Sequence, residues 1–138
     1  MSQFKSPLSG NHAGFLGERA ATSYLKNKGY SIWGQNIILF SGELDIVAIY
    51  NEVLCIIEVK SQVSVTREGR VLYYRRGEYR PDIRVNNRKK HKLSVLAGQL
   101  LDTNVKLRNF PIRFDAVAVY LDLLRNKASI DHSINIEL

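Results

Sequence analysis

Two apolar, β-branched runs, Leu44 to Tyr50 and Val53 to Lys60, are separated by only two polar residues, Asn51 and Glu52. Runs of this length and composition with so short a link read as antiparallel strands joined by a tight turn. Both runs carry apolar residues at odd and even positions, so both are expected near the centre of a sheet and covered on each face. The short turn also fixes the register. With Asn51 and Glu52 as the loop, Tyr50 pairs with Val53, Asp45 falls opposite Glu58 and Glu43 opposite Lys60. Side chains alternate along a strand, so all four charged groups are expected on one sheet face, with opposed Cβ atoms about 4.5 to 5.5 Å apart.

The remaining chain supplies partners for this hairpin. Residues Asn11 to Lys28 read as a helix with Ala13, Gly17, Ala20, Ala21 and Tyr24 on one stripe and Gly29 as its stop. A stripe of such small residues implies close packing against a sheet. Tyr30 to Phe40 reads as a first strand, and Ser61 to Ile83 has no clean period and stays unassigned, with Val71 to Tyr74 readable as strand or as loop cover. A second helix runs from about Asn86 to Asn104 on the spacing of Leu93, Leu96, Ala97, Leu100 and Leu101; Ile112 to Leu121 and Ala128 to Ile136 are further strands. The order argues for a mixed sheet with helices packed on it. At 138 residues the chain suffices for a single domain, 1–138.

Charge is unevenly distributed. The net charge is +7, and residues 67 to 92 hold ten Arg or Lys against three Asp or Glu, while the rest of the chain holds ten of each sign. A localised basic segment is the footprint of a phosphate-binding protein; the competing reading is a solvated loop with no ligand. Arg75, Arg76, Arg80, Arg88, Lys89, Lys90 and Lys92 are the candidate nucleic-acid contacts. Tyr73, Tyr74 and Tyr79 among these arginines could stack on unpaired bases or simply cover the sheet. The N-terminal residues lack the apolar core of a signal peptide, no stretch is long and apolar enough for a membrane span, and the single cysteine, Cys55, sits in an apolar run. A soluble cytoplasmic protein in a reducing compartment is expected, with no membrane partner.

Opposed carboxylates on a strand pair repel, and desolvation raises the pKa of at least one. A divalent cation bridging Asp45 and Glu58 relieves both effects, and Mg²⁺ (or Mn²⁺) suits oxygen donors. Lys60, two residues beyond Glu58, would then stand beside the ion's water shell, where an ammonium can orient an attacking water and offset charge developing on a phosphate. An isolated Glu-x-Lys would be an ordinary surface pair worth under about 1 kcal/mol. The opposed Asp45, brought by a separate strand, favours the functional reading.

Gly42-Glu-Leu-Asp-Ile-Val-Ala48 followed by Glu58-Val-Lys60 resembles the PD-(D/E)xK nuclease motif. Gly14, Gly17-Glu18, Ala21, Tyr24-Leu25, Gly29-Tyr30, Asn36 and Arg113-Phe114-Asp115 resemble, more closely, the YraN-like bacterial family related to archaeal Holliday-junction resolvases. The resemblance covers about residues 14 to 120. It implies an α/β, restriction-endonuclease-like αβββαβ core with a central mixed sheet flanked by helices, in which Asp45 and Glu58 bind Mg²⁺ (or Mn²⁺), Lys60 is catalytic and Glu18 is the helix-1 acid. Glu18 also borders the small-residue stripe, where it could reach the sheet edge, or stand as an ordinary exposed glutamate. Glu43 is either an outer-shell acid that orients Lys60 or a simple ion pair. Two departures stand out. Ile37 to Ser41 lacks the basic residues this family usually carries there, and the segment between Lys60 and Lys89 is longer and more basic than usual.

Arg113 and Asp115, two apart on a strand, read as a structural ion pair, and His12, His91 and His132 show no metal-ligand spacing. Gln99 could line the site or pack at the core edge. The expected activity is metal-dependent hydrolysis of phosphodiester bonds in nucleic acid, most naturally DNA and including branched or structured DNA. A homodimer would suit cutting of two strands. The rival expectation is a non-catalytic nucleic-acid-binding module on a nuclease fold; a protein-interaction domain would explain the charge but not the opposed carboxylates.

Overall fold

The computed structural model describes residues 10–67, 70–73 and 86–138. Helix α1 (Gly10–Asn27) ends where Gly29 takes a left-handed φ of 98°, which lets the Tyr30 amide donate back to the Leu25 carbonyl at 3.0 Å. Strand β1 (Ser31–Leu39) follows, with a register shift between Ile32 and Gly34, and pairs antiparallel with β2 (Gly42–Tyr50). Asn51 and Glu52 then adopt φ of 51° and 62°. Two successive positive values are what a two-residue type I′ hairpin turn requires. The register is accordingly the one expected, from Tyr50 opposite Val53 to Ile46 opposite Ile57.

Strand β3 (Val53–Arg67) extends well beyond Lys60, and β4 (Arg70–Tyr73) folds back on it. The stretch left unassigned from sequence therefore begins as strand. Its polar residues hide the period because β3 is held by pairing more than by pattern: β5 (Ile112–Asp122) runs parallel to it from Leu54/Ile112 to Ser64/Asp122. The crossover between these strands carries α2 (Asn87–Thr103) and a 3₁₀ turn (Val105–Asn109) that the sequence reading did not separate. The Asn86 side chain caps α2, accepting from the Lys89 amide at 2.8 Å. Strand β6 (Lys127–Ser133) completes the order β1-β2-β3-β5-β6, with β4 on β3 beyond the reach of β2. It is a mixed sheet with a helix on each face, an α/β architecture consistent with a restriction-endonuclease-like core.

Both faces of the central strands are covered, as their apolar character requires. On one side Ala21 and Leu25 of α1 pack on Ile46, Ala48, Cys55, Ile57, Val117 and Val119. On the other, Leu93, Leu96, Ala97 and Leu100 of α2 pack on Val47, Leu54, Ile56 and Ala116. Each such aliphatic side chain contributes about 1.5 to 3 kcal/mol by leaving water. The small-residue stripe of α1 has a direct consequence: a Cβ on Gly17 would overlap the Ser61 hydroxyl, so the helix lies against β3 only because position 17 has no side chain.

Candidate functional site

Alternation along β3 puts Ile57, Val59 and Val63 under α1, and so turns Glu58, Lys60 and Gln62 toward the α2 side. On β2 the alternation breaks. Val47 belongs to the α2 side and Ile46 to the α1 side, yet Leu44 returns to the α2 side and lies buried in that cluster. The break coincides with the end of the β2–β3 ladder at Ile46/Ile57. The expected cross-strand pairs Asp45/Glu58 and Glu43/Lys60 are therefore not ladder partners. Like charges do not favour continued pairing there, and Asp45 Oδ2 instead accepts the Val59 amide at 2.8 Å. The strands part at Asp45, and its carboxylate binds β3 across the gap.

Asp45 and Glu58 remain close enough to sense each other. Burial, then the Glu58 charge, push the Asp45 carboxyl up to about 7, against the opposing effect of the Val59 hydrogen bond. Glu18 is drawn into the same field. Burial raises its pKa, the charges of Glu43 and Glu58 raise it further, and a hydrogen bond with the Asn36 side chain opposes them. Asn36 stands in β1 with a left-handed φ of 49°, a conformation that Asn tolerates better than most residues. Helix α1, brought near by Gly17, thus delivers Glu18 to the point where β2 and β3 part. Glu43 is exposed, faces Ile38 of β1 in the ladder, and contributes to the negative field on Glu18.

The positive charge comes from α2. Lys89 Nζ lies 2.9 Å from Glu58 Oε2, whose side chain is only 12% exposed. Lys89, assigned from sequence to phosphate contact, thus also neutralises the acid pair. Lys60 is half-buried on β3, beside Ala118 of β5. Arg88 and Lys92 are exposed, Lys90 is half-buried, and the Lys92 stem crosses Gly42, so that a Cβ there would stand 3.0 Å from Lys92 Cε. Arg75, Arg76 and Arg80 lie outside the described residues.

The donor set fits a hard divalent cation: two neighbouring carboxylates, one of them raised to about 7 by burial and by the charge of the other, with a third acid nearby. Among the described residues no three His, Cys, Asp or Glu side chains converge as a complete ligand set. Coordination by one or two carboxylates and several waters is the habit of Mg²⁺. Asp45 and Glu58 would hold such an ion.

Three polar residues gain a place that sequence alone did not assign. Gln62 continues the line of Glu58 and Lys60, is 2% exposed, and has no partner for Oε1 among the described residues. Gln99 clamps the β1–β2 turn, accepting from the Ser41 amide at 2.9 Å and donating to the Ser41 hydroxyl at 2.7 Å. His132 joins a network centred on Asp115. Asp115, 1% exposed, receives two hydrogen bonds of 2.9 Å from Arg113, one of 3.0 Å from the Asn135 amide, and one from His132 Nε2 at 2.8 Å. Burial would raise the Asp115 pKa, but these bonds hold it below the usual carboxylate range. Arg113 also donates to the Tyr30 hydroxyl at 2.7 Å, and His132 Nδ1 meets the Tyr24 hydroxyl at 3.0 Å. The pair is structural, joining α1, Tyr30 ahead of β1, β5 and β6. A spacing of two gave the Arg113–Asp115 contact; nothing local pointed to His132.

Residues 17–119 match the model of a family described as "Uncharacterised protein family UPF0102". A UPF0102 protein of Alkaliphilus oremlandii is 33% identical over 124 residues, covering 88% of this chain and 94% of its own. Another, from Desulforamulus reducens, is 36% identical over 124 residues, covering 88% and 92%. A third, from Clostridium perfringens, is 34% identical over 129 residues, covering 86% and 87%. No described helix is long and apolar enough to cross a membrane. The matched span takes in the larger part of α1, the hairpin bearing Asp45 and Glu58, α2 and most of β5, and on this ground the chain belongs to the UPF0102 family.

Proposed function

We propose that this protein is a cytoplasmic, metal-dependent nuclease of the PD-(D/E)xK type that hydrolyses phosphodiester bonds in DNA, with branched or structured DNA among its substrates. The observation that carries the reading is the placement of Asp45, mostly buried, beside Glu58 where β2 and β3 separate; burial and then the Glu58 charge raise Asp45 to about 7, and a cation would relieve both. Bound there, Mg²⁺ or Mn²⁺ would supply Lewis-acid activation of water and of the scissile phosphate. Asp45 is oriented for this role by the Val59 amide, and Glu58 by the packed strand that carries it. Lys60, next on the same side of β3, would orient the incoming water and offset charge developing on the phosphate. Glu18 and Glu43 extend the acidic field, Glu18 as a further acid toward the ion and Glu43 from the outer shell.

The first turn of α2 supports a polyanionic substrate. It holds Arg88, Lys89 and Lys90 and no acid, although cations at a helix N-terminus oppose the helix dipole by about 0.3 to 1 kcal/mol each. That cost is reversed when a phosphate approaches.

A second reading, a binding module without turnover, is favoured by one contact: Lys89 already neutralises Glu58 without a metal. Cleavage assays separate the two. Single-stranded, duplex, flap and four-way-junction DNA incubated with Mg²⁺ or Mn²⁺ should be cut by the parent chain and at least about 100-fold more slowly by Lys60→Ala, with affinity and circular dichroism unchanged. Metal-independent binding with no cleavage of any substrate would establish the module instead.

A further inference from the structure

The two most exposed large apolar side chains among the described residues are Phe40, 96% exposed, and Ile38, 81% exposed. Both lie at the β1–β2 turn, and they alternate with Ile37 and Leu39, which pack under α2. A loose tip could fold its phenyl ring back onto that core. This one is held: Gln99 of α2 makes two hydrogen bonds to Ser41, and the Lys92 stem lies over Gly42. Phe40 is thus presented outward on a clamped turn.

The tip is also continuous with the acidic site. Ile38 faces Glu43 in the ladder, Glu43 acts on Glu18, and Glu18 acts on Asp45. Cations stand beside it too: the exposed Lys92 lies against Gly42, and the exposed Arg88 is one helical turn before Lys92. An apolar, aromatic tip beside a carboxylate pair and a row of cations matches an opened nucleic acid, with unpaired bases against the ring and phosphates along the helix. A second copy of the chain fits less well, since a symmetrical tip-to-tip contact would bring the cationic flanks together.

We infer that Ile38 and Phe40 form a wedge that stacks on bases where a duplex opens, so that the site acts at forks and branches in preference to continuous duplex. Nucleic acid as the partner rests on the nuclease reading above. The wedge holds the strands apart by occupying the face of the last base pair, while α2 fixes the phosphates.

The test uses the full chain in EDTA, with a forked duplex carrying 2-aminopurine at the last base pair and a continuous duplex of equal length. Binding should quench 2-aminopurine fluorescence on the fork, because the ring stacks on that base, and the fork should bind about tenfold more tightly than the duplex, a stacking contribution of the usual size for one base. Phe40→Ala and Ile38→Ala should lose the signal and bring the two affinities within about twofold, while Phe40→Trp restores both. An unchanged signal and preference in Phe40→Ala would overturn the wedge, as would a dimer in sedimentation that Phe40→Ala disperses. Cleavage is read separately with Mg²⁺. A wedge signal without cleavage overturns the nuclease reading alone, whereas cleavage with a preference indifferent to Phe40 and Ile38 overturns the wedge alone.

Discussion

Lys89 Nζ stands 2.9 Å from Glu58 Oε2, so an ammonium on α2 competes with any cation for one of the two carboxylates of the site. The lysine is about half exposed and the glutamate mostly covered, and a pair of this kind is worth about 1 kcal/mol. Replacing Lys89 with Met should therefore tighten Mn²⁺ binding about three- to tenfold in calorimetric titration. The same variant should lose thermal stability without metal and regain it with metal. Weaker Mn²⁺ binding in Lys89→Met would show that the lysine supports the ion rather than displacing it.

Asp45 gives a pH signature. Its folded pKa, about 7, lies above the ordinary 3.8 because of burial and the Glu58 charge. The folded state therefore binds the proton more tightly than the unfolded state. The resulting stability is fully present below pH 3.8 and is lost as pH rises through about 7. The shift corresponds to at most about 4 kcal/mol. Asp45→Asn should thus melt higher than the parent at pH 8 in EDTA, with the gap closing toward pH 4. The same substitution should abolish tight Mn²⁺ binding. A gap that widens on acidification would show that Asp45 is stabilised by a partner and not crowded by Glu58.

Much of this site was legible because a two-residue turn leaves little freedom. Asn51 and Glu52 set the register, and the register alone brings Asp45 near Glu58. The same reasoning overreached by three positions, from Asp45 to Glu43, since alternation cannot report where β2 stops pairing and Leu44 turns under α2. The extension of β3 past Lys60 was hidden for a related reason. Ser61 and Gln62 begin a segment with no clean period, but their parallel partners Val119 and Tyr120 carry the strand onward. Contacts such as Lys89 to Glu58 and His132 to Asp115 join segments far apart in sequence, and no local pattern encodes them.

The Asp115 network should behave as structure and not as chemistry. Its carboxylate is held below the usual range by His132, Arg113 and the Asn135 amide, against the opposing effect of burial. Stability from this group is present above the unfolded pKa and is lost as pH falls through the folded value. Asp115→Asn leaves Arg113 buried without its carboxylate, which should cost about 3 to 5 kcal/mol in urea unfolding at pH 7. Below pH 3.8 the difference should narrow. Where the variant is folded, Mn²⁺ affinity should match the parent. A specific loss of metal binding with stability intact would move Asp115 into the functional site.

The cations of α2 make the last claim measurable through salt. Arg88 and Lys92 are exposed at the start of the helix, on the side where the β1–β2 turn and the acid pair meet. If each contacts a phosphate, binding releases counterions, and log K should fall against log salt with a slope of about 0.9 per duplex contact. The double substitution Arg88→Ala, Lys92→Ala should flatten that slope by roughly two units. Because phosphate contacts position without reading bases, the loss should be equal across duplex sequences. Arg75→Ala with Arg76→Ala should add a similar flattening if that part of the basic segment shares the groove. Metal affinity should stay unchanged in Arg88→Ala, Lys92→Ala, since among the described residues the cation paired with Glu58 is Lys89. A parental slope in both would leave the +7 charge without a role in nucleic-acid binding and would direct the search for the substrate groove to the opposite face of the sheet.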